Sequence, residues 1–129
     1  DDNLVSSTHW LYMIQRRLGN KAIADSLLLP ITPELEIIEN SSYHKLCLFY
    51  KGLITGDALI PEGESAAASD AIFYGLANWF LYEGEKEKGL QLLSEIIERG
   101  NWSSFGYIAA ESDLIEMQGR EVNDYKIEQ

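Results

Sequence analysis

The sequence predicts an all-α fold, an α-α superhelix of stacked antiparallel helix pairs with about six or seven helices in one domain spanning residues 1–129. Three observations carry this. Apolar residues recur at helical spacing through almost the whole chain, and no stretch alternates in the manner of a strand. Glycines fall between apolar runs of helical length, as in "YGLANWFLYEGEKEKGLQLLSEII" from Tyr74 to Ile97, where Gly84 separates two such runs. Hydrophobic residues make up 46% and charged residues 24% of 129 residues, which places the chain among globular ones able to bury a core without staples.

The first helix is read from "SSTHWLYMIQRRLG", with Ser6 or Ser7 as its cap and Gly19 as its end. Leu11, Ile14 and Leu18 form its apolar stripe, widened by Trp10 and by Tyr12 or Met13. Arg16 and Arg17 near its C-terminal end suit the helix dipole. A second helix follows in "NKAIADSLLLPI", capped by Asn20, with Ala24, Leu27 and Leu28 as its buried face. Pro30 and Pro33 stop it, because proline lacks the N–H and disfavours a helical residue before it. "ITPELEIIEN" is then a connector.

The third helix, "NSSYHKLCLFYKG", takes Asn40 or Ser41 as N-cap and sets Tyr43, Leu46, Cys47 and Tyr50 on one face. Asp57 to Ile60 reads as a short helix, and Pro61, Gly63 and Ser65 mark the least regular region. A fourth helix is expected from about Ala67 to Glu83 and a fifth from about Lys86 to Arg99. The last is "SSFGYIAAESDLIEMQG", with Ser103 or Ser104 as cap. Its tail "REVNDYKIEQ" has weak periodicity and is expected to fray or pack loosely.

Two pairs share one plan. "LYMIQRRLGNKAIADSLLL" and "LANWFLYEGEKEKGLQLLSEI" each read as apolar helix, glycine, polar turn, then apolar helix with a small residue early in it. Gly19 and Gly84 can take a positive φ and turn the chain back, and Ala24 and Gly89 allow the partner helix close. "DAIFYGLANWFLYEGEKEKGLQLLSEIIERGNW" thereby resembles a tetratricopeptide repeat, a helix–turn–helix unit of about 34 residues. Phe73 falls where the repeat prefers a large aromatic, Leu76 and Ala77 match its leucine–small pair, and Phe80 matches its tyrosine. Gly84 matches the glycine before the turn, Gly89 stands for alanine, and Leu93 and Ile96 take the next apolar places. Asn101 replaces the terminal proline, a departure that blurs the unit's boundary. Repeat-like units are read at 6–33, 40–60 (degenerate) and 70–103, with a half unit at 104–118 in which Tyr107, Ala110 and Leu114 are in register. "THWLYMIQRRLG", "PITPELEIIENSSYHKL" and "WSSFGYIAAESDL" also look similar to the C-terminal half of longer bacterial proteins of this family without assigned function. The chain would then be part of a longer array. The plainer alternative is an ordinary helical bundle.

The net charge of −11, from 10 Lys+Arg against 21 Asp+Glu, argues against a nucleic-acid or anionic membrane partner and fits a basic one. No apolar run reaches the roughly 20 residues of a membrane span. One cysteine, Cys47, makes no internal disulfide and says little about compartment. No phosphate loop or zinc signature is present, so no cofactor or metal is expected. His44 and Cys47, spaced i, i+3, are the one nucleophile–base candidate, with no orienting third residue evident. The expectation is a chain that is not an enzyme.

In the family that the sequence resembles, first helices line a concave groove that holds a peptide. Carried over by position, the groove residues are Ala71, Tyr74, Asn78, Leu81 and Tyr82. Asn78 stands out, because an amide can hold a peptide backbone through both its donor and its acceptor. The alternative makes Asn78 a solvated helix residue and Tyr74 and Tyr82 packing residues. Tyr74 stands where the chaperone-binding subclass places a lysine that grips a C-terminal carboxylate, which argues against a carboxylate clamp. The resemblance thus implies a non-catalytic scaffold for a protein or peptide, basic or extended. A second expectation is an assembly segment that associates with itself or with further repeats through the ends of the array.

Overall fold

The computed structural model describes the backbone of residues 1–59, 66–101 and 105–128, and the side chains of these except 66–68, 105 and 118–128. The described residues are all-α: α1 (Asp2–Arg17), α2 (Lys21–Leu27), α3 (Ser41–Tyr50), a 3-10 turn (Gly56–Leu59), α4 (Ala66–Tyr82), α5 (Lys86–Arg99) and α6 (Phe105–Glu128). None is long and apolar enough to cross a membrane.

The turns show why the chain doubles back. Gly19, Gly52 and Gly84 all take a positive φ, of 80°, 82° and 83°. Each forms the same paired bonds: Asn20 N to Gln15 O at 2.9 Å and Gly19 N to Arg16 O at 3.1 Å, Leu53 N to Leu48 O and Gly52 N to Phe49 O at 2.9 Å each, Glu85 N to Phe80 O at 2.8 Å and Gly84 N to Leu81 O at 3.3 Å. This pairing answers the orphan carbonyls of a helix end and needs a left-handed residue, which glycine adopts without steric cost. After Gly84 the chain returns as α5 against α4. There a Cβ on Gly89 would stand 2.7 Å from Leu81 Cγ and 2.9 Å from the Ala77 carbonyl, so the close approach requires glycine.

Packing is sequential. α1 meets α2, α3 and α4, α3 meets α4, and α6 seats against both α4 and α5. One buried cluster joins Val5, Tyr12, Ala24, Leu28, Ile31, Leu46, Leu59 and Ile72; the other joins Met13, Tyr74, Ala77, Leu93, Ile96 and Ala110. Complete burial of Leu93 and Ile96 contributes about 1.5–3 kcal/mol each. Small residues set the contacts of α4: a Cβ on Gly75 would meet the Leu46 methyls at 2.8 Å, and one on Gly106 would meet the Asp70 carbonyl at 2.6 Å. The connector after α2 is pinned by Lys51 Nζ donating to the Ile31 carbonyl (2.7 Å), His44 Nε2 to the Thr32 carbonyl (2.8 Å), and the Asp2 carboxylate accepting from the backbone N–H groups of Ile38, Glu39 and Asn40.

Two expectations are corrected. α1 starts at Asp2 with Asp1 as N-cap, so Ser6 and Ser7 lie inside it. Burial of Val5 and the acidic first turn carry the helix back beyond the serines. Leu11, Ile14 and Leu18 are exposed, and the buried face is Val5, Thr8, His9, Tyr12 and Met13. The backbone of α6 runs on through the tail to Glu128, while the side chains expected to pack loosely there lie outside the described residues. The expected loop at Pro61, Gly63 and Ser65 and the caps Ser103 and Ser104 lie outside the described residues.

Candidate functional site

Three helices converge on one concavity. The last turn of α1 brings Arg16 and Arg17; α4 brings Asn78, Leu81 and Tyr82; α6 brings Asp113, Glu116 and Met117. The cavity they line measures about 410 Å³. Tyr74, Asn78 and Tyr82 follow one another at i, i+4 and i+8, so a single face of α4 forms its floor. Arg17 reaches this floor because the turn at Gly19 ends α1 beside it.

Arg17 is the hub. Its Nη2 donates to Asn78 Oδ1 (2.7 Å), to the Tyr74 hydroxyl (2.9 Å) and to Asp113 Oδ2 (2.6 Å), and its Nε donates to Asn78 Oδ1 (3.1 Å). The Tyr74 hydroxyl donates to Asp113 Oδ2 at 2.7 Å, and Asn78 Nδ2 donates to the Tyr74 carbonyl at 2.9 Å. The Tyr82 hydroxyl lies 3.2 Å from the Met13 carbonyl. Among the described residues no buried side-chain nitrogen or oxygen lacks a partner. The network ties α1, α4 and α6 into one rigid polar floor.

The electrostatics follow from burial and pairing. Burial works against the charge of Arg17, but its hydrogen bond to Asp113 and the nearby negative charge outweigh this, and its pKa is raised. Burial, reinforced by donation to Asp113, pushes the Tyr74 hydroxyl up to about 12. Burial raises Tyr82 also. Both phenols therefore stay protonated at neutral pH and act as hydrogen-bonding groups. Arg16 closes the neighbouring side. Its side chain is 6% exposed, pairs with Glu83 at 2.9 Å, and lies 5.8, 5.3 and 5.1 Å from the ring centroids of Tyr12, Trp79 and Tyr82.

Of the five groove residues read from the sequence, Asn78, Leu81 and Tyr82 line this cavity. Tyr74 is buried under Arg17 and supports the floor from beneath. Ala71 lies elsewhere, beside a second space of about 10 Å³ with His9, Trp10, Tyr43, Tyr74 and Gly106, no larger than one water molecule. Asn78 is 1% exposed, and both its donor and its acceptor are spent within the chain. The sequence reading missed Arg17, Asp113 and Met117, which reach α4 from distant helices. Two arginines at the end of one helix were the visible signal, and their partner Asp113 carried none.

His44 and Cys47 do not meet as a reactive pair. His44 bonds the Thr32 carbonyl, whereas the Cys47 thiol is buried, points to the Val5 carbonyl at 3.7 Å, and is pushed up to about 12 by burial. Among the described residues no three His, Cys, Asp or Glu groups cluster as metal ligands. The cavity combines apolar walls at Leu81 and Met117 with a neutralised guanidinium–carboxylate pair. Compared with protein-family models, with curated proteins and with solved structures, the sequence matches none.

Proposed function

We propose that the protein is a non-catalytic scaffold of tetratricopeptide type whose groove between α1, α4 and α6 binds a peptide segment of a partner protein. The single observation carrying this reading is the cavity of about 410 Å³ with a satisfied polar floor and apolar walls at Leu81 and Met117. Supporting it are the return at Gly84, the close contact at Gly89, and the seating of α6 on both members of the preceding pair. A floor whose hydrogen bonds are already made needs no reorganisation to accept a ligand. The net charge of −11 favours a basic or extended segment and disfavours nucleic acid.

Peptides selected from a random library on the immobilised protein test the reading. Bound peptide is expected to shift the NMR signals of the Asn78 side-chain amide, Leu81 and the Met117 methyl. Met117→Arg is expected to weaken binding at least about tenfold while circular dichroism shows the fold retained, because Met117 is half-buried at the edge of the core cluster. Shifts confined to another surface, or unaltered affinity in the variant, would reject the groove.

A further inference from the structure

We propose that the chain associates with a second copy of itself head to tail, the outer face of α6 in one copy covering the outer stripe of α1 in the next. Placing Tyr107 on Phe73 sets Ala110 on Leu76, Glu111 on Ala77, Leu114 on Phe80 and Ile115 on Leu81. In α4 this face is covered by α5: Ala77 is fully buried and Leu81 lies against Gly89. In α6 the equivalent face is covered only in part: Ala110 is fully buried and Leu114 packs half-buried on the core, while Glu111 and Ile115 face outward. Ile115 is 63% exposed and Ile108, two turns before it, 55%. At the other end of the stack Leu11, Ile14 and Leu18 are 46%, 50% and 66% exposed and share one side of α1, opposite the face buried in the chain. Single exposed apolar residues are ordinary; aligned rows at helical spacing at both ends of a helix stack are the pattern of surfaces that pair.

Charge selects how they pair. The α6 row is flanked by the exposed carboxylates Glu111 and Glu116. The α1 row ends beside Lys21, whose side chain is 64% exposed. Pairing α6 with α6 would set Glu111 and Glu116 against their own copies, and pairing α1 with α1 would do the same to Lys21. Only α6 on α1 opposes unlike charges. Lys21 meets Asp25 within its own helix, an exposed pair that is weak enough to exchange for a partner across an interface. Such an interface is heterologous, so association extends and does not close at a dimer.

Light scattering and sedimentation of the intact chain, from low micromolar to millimolar concentration, test this. The mean mass is expected to rise from 14.6 kDa past twice that value, and to fall back when salt screens the flanking charges. Leu18→Glu and Ile115→Lys, both at exposed positions, are each expected to remain monomeric with unchanged circular dichroism. Mixed in equal amounts they should form a complex that stops at twice 14.6 kDa, since each keeps one intact face. Wild-type protein that stays at 14.6 kDa at millimolar concentration overturns the proposal. So does a single variant that still dimerises, or a mixture that remains monomeric.

Discussion

α3 and α4 end in the same glycine turn and lead to different structures. Gly52 and Gly84 share φ values of 82° and 83° and the same pair of backbone bonds. Beyond Gly84 the chain forms the fourteen-residue α5; beyond Gly52 the described residues through Leu59 make the 3-10 turn Gly56–Leu59. The residue standing where Gly89 follows Gly84 is Asp57 after Gly52, and it is exposed. A carboxylate there cannot nest against the preceding helix as Gly89 does on Leu81 and Ala77. The turn therefore permits a hairpin, and at Gly84 the small Gly89 behind it lets the returning helix pack close.

The largest expected break in this comparison is Ala77→Arg. A long cation forced into the α4–α5 contact should lower stability by about 3 kcal/mol or more in urea unfolding. Gly89→Ala acts on the same contact. The methyl would improve helix propensity, yet it meets the Ala77 carbonyl oxygen at 2.9 Å, a backbone atom that cannot swing aside. A net loss of about 1–3 kcal/mol is expected.

Acid should divide the two halves. His9 is 1% exposed in the α1–α3 half, beside the Tyr50 hydroxyl at 3.1 Å, and burial lowers its pKa from 6.5 to about 3. The unfolded chain takes up this proton first, so stability falls as pH drops below 6.5 toward 3. Between pH 6.5 and 5 the loss is about 2 kcal/mol. Hydrogen exchange should accelerate in α3 before α5, and His9→Gln should flatten the pH slope over this range. Smaller still, Gly52→Ala and Gly84→Ala meet no atom within 4 Å, so each should cost only the strain of a left-handed alanine, about 1–2 kcal/mol. Equal losses at the two sites would show the turns to be energetically alike. Asp57→Ala, the mildest change, should raise helicity slightly, by about 0.5 kcal/mol of propensity.

The α4–α5 pair was legible because its punctuation and its apolar period agree. Gly84 ends one helix, Gly89 fits the next, and Leu93 and Ile96 fall on the buried side. α1 was ambiguous because it carries apolar residues on two faces. Periodicity favoured Leu11, Ile14 and Leu18, but the face with Tyr12 was buried, where its ring stacks on Tyr50 at 4.3 Å and its hydroxyl accepts from Arg16. Aromatic stacking and a buried guanidinium are pairings between distant segments, and no window of sequence displays them. The site divides the same way. Asn78, Leu81 and Tyr82 follow from spacing within α4, while Arg17 and Asp113 are joined only by the way α1 and α6 stack on it.

The carboxylate of Asp2 has a wider reach than its place at the first turn of α1 suggests. By accepting from the N–H groups of Asn40, Glu39 and Ile38 it holds its own pKa down and fixes the direction in which the chain enters α3. Asp2→Ala, or a fusion partner that unwinds this first turn, should therefore be felt as a reorientation of α3 some forty positions downstream, visible as altered fluorescence of Trp10 beside Tyr43.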